Sequence, residues 1–186
     1  MEIFDKYFGE YDQWYEKNKV IYLSELEALR KVIPTGKKGL EIGVGTGRFA
    51  EPLGIEYGVD PSEKMLSIAQ KRGIKTFVAK GENLPFSNEE FDYVLIAITI
   101  CFVEEPDKVI EESRRVLKNG GKLIIGIADK ESSLGKFYLE KKKEGHRFYK
   151  YATFYSTDEI VKMLKKHNFT NFTFYQTLFK PIEEIK

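Results

Sequence analysis

Short apolar runs alternate with amphipathic stretches through the middle of the chain. The apolar runs predict β-strands at residues 39–42, 55–59, 76–79, 93–98 and 122–127. They lack polar alternation, as expected for parallel strands that are buried on both faces. Amphipathic stretches predict helices at residues 62–71 and 107–117. This repeated order of strand, turn and helix predicts an α/β fold with a doubly wound, mainly parallel sheet.

The two ends of the chain have different patterns. Aromatic and aliphatic residues recur at helical spacings over residues 4–33, which predicts one or two helices before the first strand. Residues 129–151 turn polar and predict a surface excursion that is not a core element. Ser156 predicts the N-cap of a helix that runs to about residue 167, and a last strand rich in Phe and Tyr is expected at residues 171–177.

The composition predicts one globular domain. The chain has 186 residues, of which 42% are hydrophobic and 32% charged, enough to fill a core and solvate a surface. Its 30 basic and 29 acidic residues leave a net charge of +1 and are mixed along the chain, so no nucleic-acid partner is expected. Cys101 is the single cysteine, so no internal disulfide can form and no second thiolate could share a metal site. We expect no metal. We also expect no signal peptide, no membrane span and a cytoplasmic location.

The most informative segment joins the first predicted strand to a turn with three alternating glycines. Gly43, Gly45 and Gly47 follow residues 39–42 and precede an expected helix. Glycines let a ligand approach the backbone closely, and the free N–H groups of a helix start can bind it. A tight turn without a ligand is the alternative. Because Arg48 stands where the dinucleotide fingerprint requires its last glycine, NAD fits this turn imperfectly.

Two carboxylates flank the glycine turn. Glu41 ends the first strand, where its charge would repel a phosphate but attract an ammonium or a sulfonium. The alternative role for Glu41 is a partner for the helix dipole. Asp60 ends the second strand, where nucleotide-type cofactor sites place an acid that accepts hydrogen bonds from ribose hydroxyls. Its alternative role is a helix N-cap, which Ser62 could equally supply.

These segments resemble the class I S-adenosylmethionine-dependent methyltransferases, especially the branch with the ubiquinone and menaquinone biosynthesis methyltransferases. The resemblance extends over most of the chain. Residues 39–50 resemble the first motif of the family and residues 59–66 the second. Four more segments resemble later motifs of the family: residues 81–86, 89–94, 116–123 and 154–157. Each motif alone is a weak indicator of the family, whereas their order and spacing together are specific to it.

The resemblance implies a Rossmann-like sheet, with S-adenosyl-L-methionine as the cofactor and S-adenosyl-L-homocysteine as its product. It implies that Glu41 and the glycines hold the methionine part, that Asp60 binds the ribose and that Met65 lies near the adenine. Many relatives have an Asp where this chain has Lys80, so adenine contacts are expected from the residues after it. The expected cofactor-binding set is Glu41, Gly43, Gly45, Gly47, Asp60, Pro61, Met65, Gly81, Glu82, Asn83, Tyr11 and Trp14.

Two further departures from the family concern the acceptor and the sheet. Residues 99–103 lack the histidines that quinone-pathway enzymes often have after the fourth strand, so a quinone acceptor is not implied. Family sheets usually end in an antiparallel hairpin, and we expect its last strand to be missing or atypical here. The expected organisation is one domain with a helical lid at 1–34, a cofactor-binding core at 35–128, a substrate-side excursion at 129–155 and a C-terminal helix and strand at 156–186.

The first 34 residues are unusually rich in aromatic side chains. The cluster resembles the aromatic entry helix that covers the cofactor in related enzymes, and we expect a lid in which Tyr11 and Trp14 take part. Packing on the domain without a ligand role is the alternative. The members of the cluster are Tyr7, Phe8, Tyr11, Trp14, Tyr15 and Tyr22.

No motif marks a catalytic residue. The sulfonium already activates the methyl group, so the protein chiefly has to align the reactants and exclude water. Candidates for a general base are His146, His167 and the tyrosines. We expect His167 to end a helix, His146 to lie at the surface, and Cys101 to be a small buried hydrophobe or to line the pocket.

The residues thus predict methyl transfer from S-adenosylmethionine to a small-molecule acceptor, whose identity they leave open. One alternative is a non-catalytic S-adenosylmethionine-binding protein, because an intact cofactor site does not require an acceptor. Another is an NAD-dependent oxidoreductase with the same fold, which Glu41 and the missing glycine at position 48 both disfavour.

Overall fold

A computed structural model describes residues 2–179 and residue 184 of the chain. Helices open the fold, as predicted, and there are three of them before the sheet: α1 (Glu2–Lys6), α2 (Phe8–Lys17) and α3 (Lys19–Arg30). The breaks fall at Tyr7 and Asn18, whose backbone angles are not helical. These breaks let the short helices bend over one end of the sheet.

Five parallel strands form the sheet. They are β1 (Gly39–Ile42), β2 (Tyr57–Asp60), β3 (Lys75–Val78), β4 (Phe91–Ala97) and β5 (Leu117–Gly126). Their spatial order is β3-β2-β1-β4-β5, and each neighbouring pair is parallel. The order reverses between β1 and β4, and ligands of such sheets bind beside this point, outside the carboxyl ends of the strands. The predicted doubly wound α/β sheet is confirmed.

Helices cover both faces of the sheet. The first face is covered by α2, α3, α4 (Ala50–Leu53) and α5 (Glu63–Lys71), and the second by α6 (Pro106–Val116) and α8 (Thr157–Lys166). Because alternate residues of a strand point to opposite faces, Leu40 and Ile42 lie in the second core and Glu41 points to the first. No helix among the described residues combines the length and the apolar composition that crossing a bilayer requires.

Two element boundaries differ from the prediction. The fifth strand was expected from residue 122, yet β5 already begins at Leu117. The backbone of Leu117 is extended, so the chain enters the sheet as soon as α6 ends, and the register with β4 is irregular beside this entry. The helix expected after the glycine turn is also short, because Gly54 ends α4 in a left-handed conformation after four residues.

The prediction that residues 129–151 form no core element was wrong. They contain helix α7 (Ser133–Lys143), which Ser132 caps by accepting a hydrogen bond from the N–H of Gly135 at 3.0 Å. Leu134 and Tyr138 are buried in a third apolar cluster. The polar character of the segment arises from the lysines in the last turn of α7, where the helix dipole favours positive charge.

The C-terminal helix is confirmed and the strand after it was wrongly predicted. Ser156 and Glu159 form a reciprocal capping box at the start of α8, and His167 ends it. Residues 168–179 form no strand. Positive φ angles at Asn168, Asn171 and Leu178 interrupt the extended conformation there. Within the C-terminal range 156–186 that was predicted as helix and strand, residues 180–183 and 185–186 lie outside the described part of the chain.

Candidate active site

The glycine turn follows β1 and lies at the carboxyl edge of the sheet. Gly43, Gly45 and Gly47 have φ angles of 70°, 53° and 82°, which residues with side chains rarely adopt. Val59 of β2 anchors the turn, because its carbonyl accepts hydrogen bonds from the N–H groups of Gly43 and Val44, at 2.8 and 3.0 Å. The turn is therefore tied to the neighbouring strand.

Packing within the protein requires two of the three glycines. A Cβ atom at Gly43 would lie 2.1 Å from Cγ2 of Thr99. A Cβ atom at Gly47 would lie 2.4 Å from Cδ1 of Ile74. Neither distance is compatible with a side chain, so a tight turn explains these two glycines without any ligand.

Gly45 has a more open environment. A Cβ atom there would meet Sδ of Met65 at 3.4 Å and Cε1 of Tyr11 at 3.8 Å, which are ordinary contact distances. Among the described residues, only these two side chains, one from α5 and one from α2, come within 4 Å of that Cβ position. Gly45 is thus the glycine whose missing side chain leaves room for a ligand, and the two side chains beside it belong to the expected cofactor-binding set.

Glu41 is buried beside the turn with an exposed fraction of 1%. Burial raises the pKa of Glu41 well above its usual range, the charge of Asp60 raises it further, and a backbone hydrogen bond from Ala50 lowers it. The contact with Ala50, the first residue of α4, agrees with the helix-end role for one carboxylate oxygen. The other oxygen, Oε2, has no hydrogen-bond partner in the described part of the chain. A buried acceptor without a donor costs about 1–3 kcal/mol, so Oε2 is a ready partner for a cationic ligand group.

Asp60 reaches the same turn from the end of β2. Its Oδ2 accepts a hydrogen bond from the N–H of Gly45 at 3.0 Å, and its Oδ1 accepts one from the N–H of Ser62 at 2.9 Å, across the partly buried Pro61. Burial raises the pKa of Asp60 to about 6, although these backbone hydrogen bonds lower it. Ser62 caps α5 by accepting a hydrogen bond from the N–H of Met65. Asp60 is therefore not the cap, and its oxygens keep lone pairs for a ligand.

The loop after β3 holds the expected adenine contacts. Gly81 packs on β1, because a Cβ atom there would lie 2.8 Å from Cγ2 of Ile42. Asn83 lines a surface cavity of about 330 Å³ at the end of β3. The carboxylate of Glu82 instead accepts hydrogen bonds from the N–H groups of Glu104 and Glu105, at 3.1 and 3.3 Å, and so ties the loop to the start of α6. Among the three residues, Asn83 has the free side chain.

The N-terminal helices lie over the glycine turn. The Tyr11 ring covers Gly45, and its hydroxyl is 2.9 Å from the hydroxyl of Tyr15. Trp14 packs edge-on against the Tyr15 ring, with centroids 5.3 Å apart. The structure therefore brings Tyr11 to Gly45 directly, and Trp14 packs beside the Tyr15 partner of Tyr11.

The comparisons with known proteins agree with this geometry. Residues 40–125 match the family described as a methyltransferase domain. A crystal structure from Thermotoga maritima, described as a SAM-dependent methyltransferase and possible histamine N-methyltransferase, is 47% identical with a TM-score of 0.94, and the match covers 98% of this chain and 87% of that one. The chain belongs to the S-adenosylmethionine-dependent methyltransferases.

Two sequence relatives extend the same result. An uncharacterized protein of Methanocaldococcus jannaschii is 56% identical over 185 residues, which is 100% of this chain and 89% of the relative. A demethylmenaquinone methyltransferase of Thermotoga maritima is 30% identical over 171 residues, which is 77% of this chain and 74% of the relative. The family resemblance seen in the sequence is confirmed, and the methyltransferase family implies the use of S-adenosylmethionine.

An ion-pair network that sequence reasoning missed attaches helix α2 of this methyltransferase to the glycine turn. Asp12 of α2 accepts hydrogen bonds from Arg48 at 2.6 Å, from the Thr46 hydroxyl at 2.7 Å and from Arg72 at 3.1 Å. Burial alone would raise the pKa of Asp12, but these hydrogen bonds hold it well below its usual range. Arg48 was noted in the sequence only as a mismatch to another fingerprint. No local pattern connects it with Asp12, which is 36 residues away in the chain.

The two histidines and the cysteine that the sequence offered as site residues lie at three different places in this methyltransferase. His167 ends α8, as predicted, with Nε2 3.0 Å from Oδ1 of Asp107. His146 is exposed, as predicted, and stacks on Tyr149 with ring centroids 4.5 Å apart. Cys101 is buried, as predicted, burial raises its pKa to about 12, and it lines a small cavity that includes no residue of the glycine turn. Neither histidine reaches the glycine turn by a contact among the described residues.

Proposed function

We propose that this methyltransferase transfers the methyl group of S-adenosylmethionine to a small-molecule acceptor. The observation that carries the proposal is the unpartnered Oε2 of Glu41, a residue buried at the start of the turn in which Gly45 leaves room for a ligand. A buried carboxylate oxygen in need of a donor fits the ammonium group of the methionine part of the cofactor. A pyrophosphate at the same place would be repelled.

The proposed cofactor site uses each element at the carboxyl edge of the sheet. Glu41 would bind the ammonium group, and the backbone of Gly43, Gly45 and Gly47 would lie along the methionine part. Asp60 would accept hydrogen bonds from the ribose hydroxyls, as the resemblance implies. The adenine would lie between Met65 and the loop after β3, with Pro61, Gly81 and Asn83 beside it and Glu82 holding the loop in place. Tyr11 would cover the site, with Trp14 behind it.

Methyl transfer requires little of the protein beyond alignment of the cofactor with the acceptor. When bound, the cofactor supplies a methyl group that its sulfonium has already activated. The residues of this chain then have to hold the cofactor and the acceptor in line and keep water out. The aromatic N-terminal helices, tied down by Asp12, are suited to exclude water from the glycine turn.

A small-molecule acceptor is supported by the charge distribution. Acidic and basic residues are almost equal in number, so the chain carries no excess of positive charge for a nucleic acid. Two relatives are named for different acceptors, a menaquinone precursor and histamine. Their names therefore do not choose the acceptor of this chain.

The cofactor assignment is tested by calorimetric titration of the protein with S-adenosylmethionine, S-adenosylhomocysteine and NAD in parallel. We expect micromolar binding of the first two and none of NAD. Asp60→Asn should weaken S-adenosylhomocysteine binding about 10- to 100-fold, because charged hydrogen bonds contribute about 1.5–3 kcal/mol. The exposed Asp158→Asn, on α8, is the matched control and should change it less than twofold. Binding of NAD alone, or an Asp60→Asn affinity within twofold of the wild type, would overturn the assignment.

A further inference from the structure

A second carboxylate lies beside Asp60, and it comes from the N-terminal helices. Asp5 belongs to α1, and its Oδ1 accepts a hydrogen bond from the hydroxyl of Ser62. The backbone N–H of the same serine donates to Oδ1 of Asp60 at 2.9 Å. Because one residue donates to both acids, the two carboxylates are neighbours at the start of α5. No local pattern connects Asp5 with Ser62, which is 57 residues away in the chain.

Packing among the N-terminal helices holds α1 at this place. Phe4, the residue before Asp5, packs edge-on against Tyr11 with ring centroids 5.6 Å apart. Tyr11 in turn lies over Gly45, whose N–H donates to Oδ2 of Asp60 at 3.0 Å. Two separate sets of contacts, one through α5 and one through α2, therefore fix the position of Asp5 relative to Asp60.

The two acids keep free acceptor capacity and have no compensating cation. An ionised carboxylate only accepts hydrogen bonds, and it has about four lone-pair sites for them. Within residues 2–179 and 184, Asp5 accepts a hydrogen bond through Oδ1 alone, and no Lys or Arg side chain pairs with either acid. The charge of Asp5 adds to the effect of burial in raising the pKa of Asp60. Both acids are therefore suited to a ligand that donates hydrogen bonds.

A vicinal diol is a ligand group that matches two neighbouring carboxylates. Each of its two hydroxyls has one proton to donate, so the two hydroxyls of a ribose can satisfy two separate acceptors. A phosphate would be repelled by both acids. The ligand itself is not inferred from the acids. It follows independently from the methyltransferase family and from the buried, unpartnered Oε2 of Glu41.

We propose that Asp5 is a cofactor-binding residue that shares the ribose of S-adenosylmethionine with Asp60, so that each carboxylate accepts a hydrogen bond from one ribose hydroxyl. The inference rests on the proposed function, because it adds a residue to the proposed cofactor site. Asp5 lies on α1 and Asp60 ends β2. The bound ribose therefore joins the N-terminal helices to the sheet.

The test compares S-adenosylhomocysteine with its 2′-deoxy and 3′-deoxy analogues by calorimetric titration. EDTA in every titration removes divalent cations, which carboxylates also bind. Asp5→Asn should weaken S-adenosylhomocysteine binding about tenfold, as expected for the loss of a charged hydrogen bond. The asparagine oxygen still accepts from Ser62, so the contact that holds α1 is kept. Glu63→Gln, an exposed acid in the first turn of α5, is the matched control and should change the affinity less than about twofold.

The deoxy analogues separate a ribose contact from a purely structural role of Asp5. Removal of the hydroxyl that Asp5 accepts should weaken binding to the wild type about tenfold, but binding to Asp5→Asn less than about threefold, because the charged partner is already lost. Asp60→Asn should lose its sensitivity to the other hydroxyl in the same way. A residue that only anchored α1 would leave the cost of removing each hydroxyl unchanged.

The outcomes distinguish this inference from the one on which it rests. If the wild type does not bind S-adenosylhomocysteine, the proposed function fails. If Asp60→Asn loses its sensitivity to one hydroxyl and Asp5→Asn keeps its sensitivity to both, only the role of Asp5 is wrong. If either analogue binds the wild type as tightly as S-adenosylhomocysteine, the division of the ribose between two acids is wrong. Asp5→Ser is a second variant with the same expected result, and thermal denaturation checks that each variant is folded.

Discussion

The glycine turn and the ion-pair network around Asp12 are neighbouring parts of the candidate site, yet they are built in different ways. The turn and its acids come from two short segments, residues 41–47 and 60–65, which adjacent parallel strands bring together. The network joins Asp12 of α2 to Thr46, Arg48 and Arg72, which are distant from it in the chain. The first arrangement follows from local sequence and sheet order. The second depends on how the N-terminal helices pack, and this difference explains why the glycine turn can be recognised in the sequence and the network cannot.

The largest expected effect concerns the glycines of the turn. Gly43→Ala should lower the free energy of unfolding by about 2–5 kcal/mol, because it combines a strained φ angle with a collision with Thr99. Gly45→Ala has only the strain, and should cost about 1–2 kcal/mol while weakening S-adenosylhomocysteine binding more than tenfold. Urea denaturation and calorimetry measure the two quantities.

Thr99→Ala in the Gly43→Ala background is the control for this distinction. It removes Cγ2 of Thr99, the atom closest to the new methyl group, and should restore part of the lost stability. If Gly43→Ala and Gly45→Ala instead have equal effects on stability and on binding, the separation of packing glycines from the ligand-facing glycine is wrong.

The next effect concerns the attachment of α2 to the glycine turn. Asp12→Asn should lower the free energy of unfolding by about 2 kcal/mol, since it leaves Arg48 and Arg72 without a partly buried partner. S-adenosylhomocysteine binding should weaken several-fold, because α2 carries Tyr11 onto the turn. Glu16→Gln removes the exposed second partner of Arg48 and should cost less than about 0.5 kcal/mol. Equal costs for the two variants would contradict a specific role for Asp12.

The pH dependence of cofactor binding should follow Asp60. Its pKa in the free protein is about 6, and ribose hydroxyls require the ionised form as acceptor. The affinity for S-adenosylhomocysteine should therefore fall up to about tenfold per pH unit below 6. Calorimetry of wild type and Asp60→Asn between pH 5 and 8 checks this, because the variant should lack that part of the dependence.

The free energy of unfolding should change with pH in the opposite direction to cofactor affinity, again because of Asp60. The folded-state pKa of Asp60 lies above its ordinary value, so the native state binds the proton more tightly than the unfolded state does. Its contribution to the free energy of unfolding rises as the pH falls through about 6. Denaturation of wild type and Asp60→Asn at several pH values isolates that contribution. A wild-type advantage that shrinks on acidification would show that the carboxylate is not destabilised by burial.

The smallest effect is expected at the C-terminal segment. Phe174→Ser should change the free energy of unfolding by less than about 0.5 kcal/mol, because Phe174 is 63% exposed and belongs to no strand. Val94→Ser in β4 is the contrasting variant, since Val94 is fully buried and should cost several kcal/mol. A comparable loss at Phe174 would mean that the segment does join the sheet.

The sequence-based errors have a common physical cause. The strand expected at residues 171–177 rested on aromatic content alone, yet strand formation needs a partner, and positive φ angles at Asn168 and Asn171 turn the chain away. Helix α7 was missed because its lysines dominate the composition while a few residues such as Tyr138 carry its packing. In both segments the outcome depended on contacts with distant residues.

The expected site residues divide in the same way. Glu41, Gly45, Asp60 and Met65 meet at the sheet edge, because strand order and alternation determine their positions. Glu82 was expected at the adenine, and the structure uses its carboxylate to hold the start of α6. Residue type alone did not distinguish these two uses of an acid.

The sequence alone determined the parallel α/β sheet, the position of the glycine turn and the methyltransferase family. Hydrophobic periodicity and turn chemistry act over a few residues, so they can be recognised without the fold. Only the tertiary structure decided that Asp12 holds α2 against the glycine turn by pairing with Arg48 and Arg72. Those contacts join residues far apart in the chain, and their energies depend on burial and distance, which the order of residues does not contain.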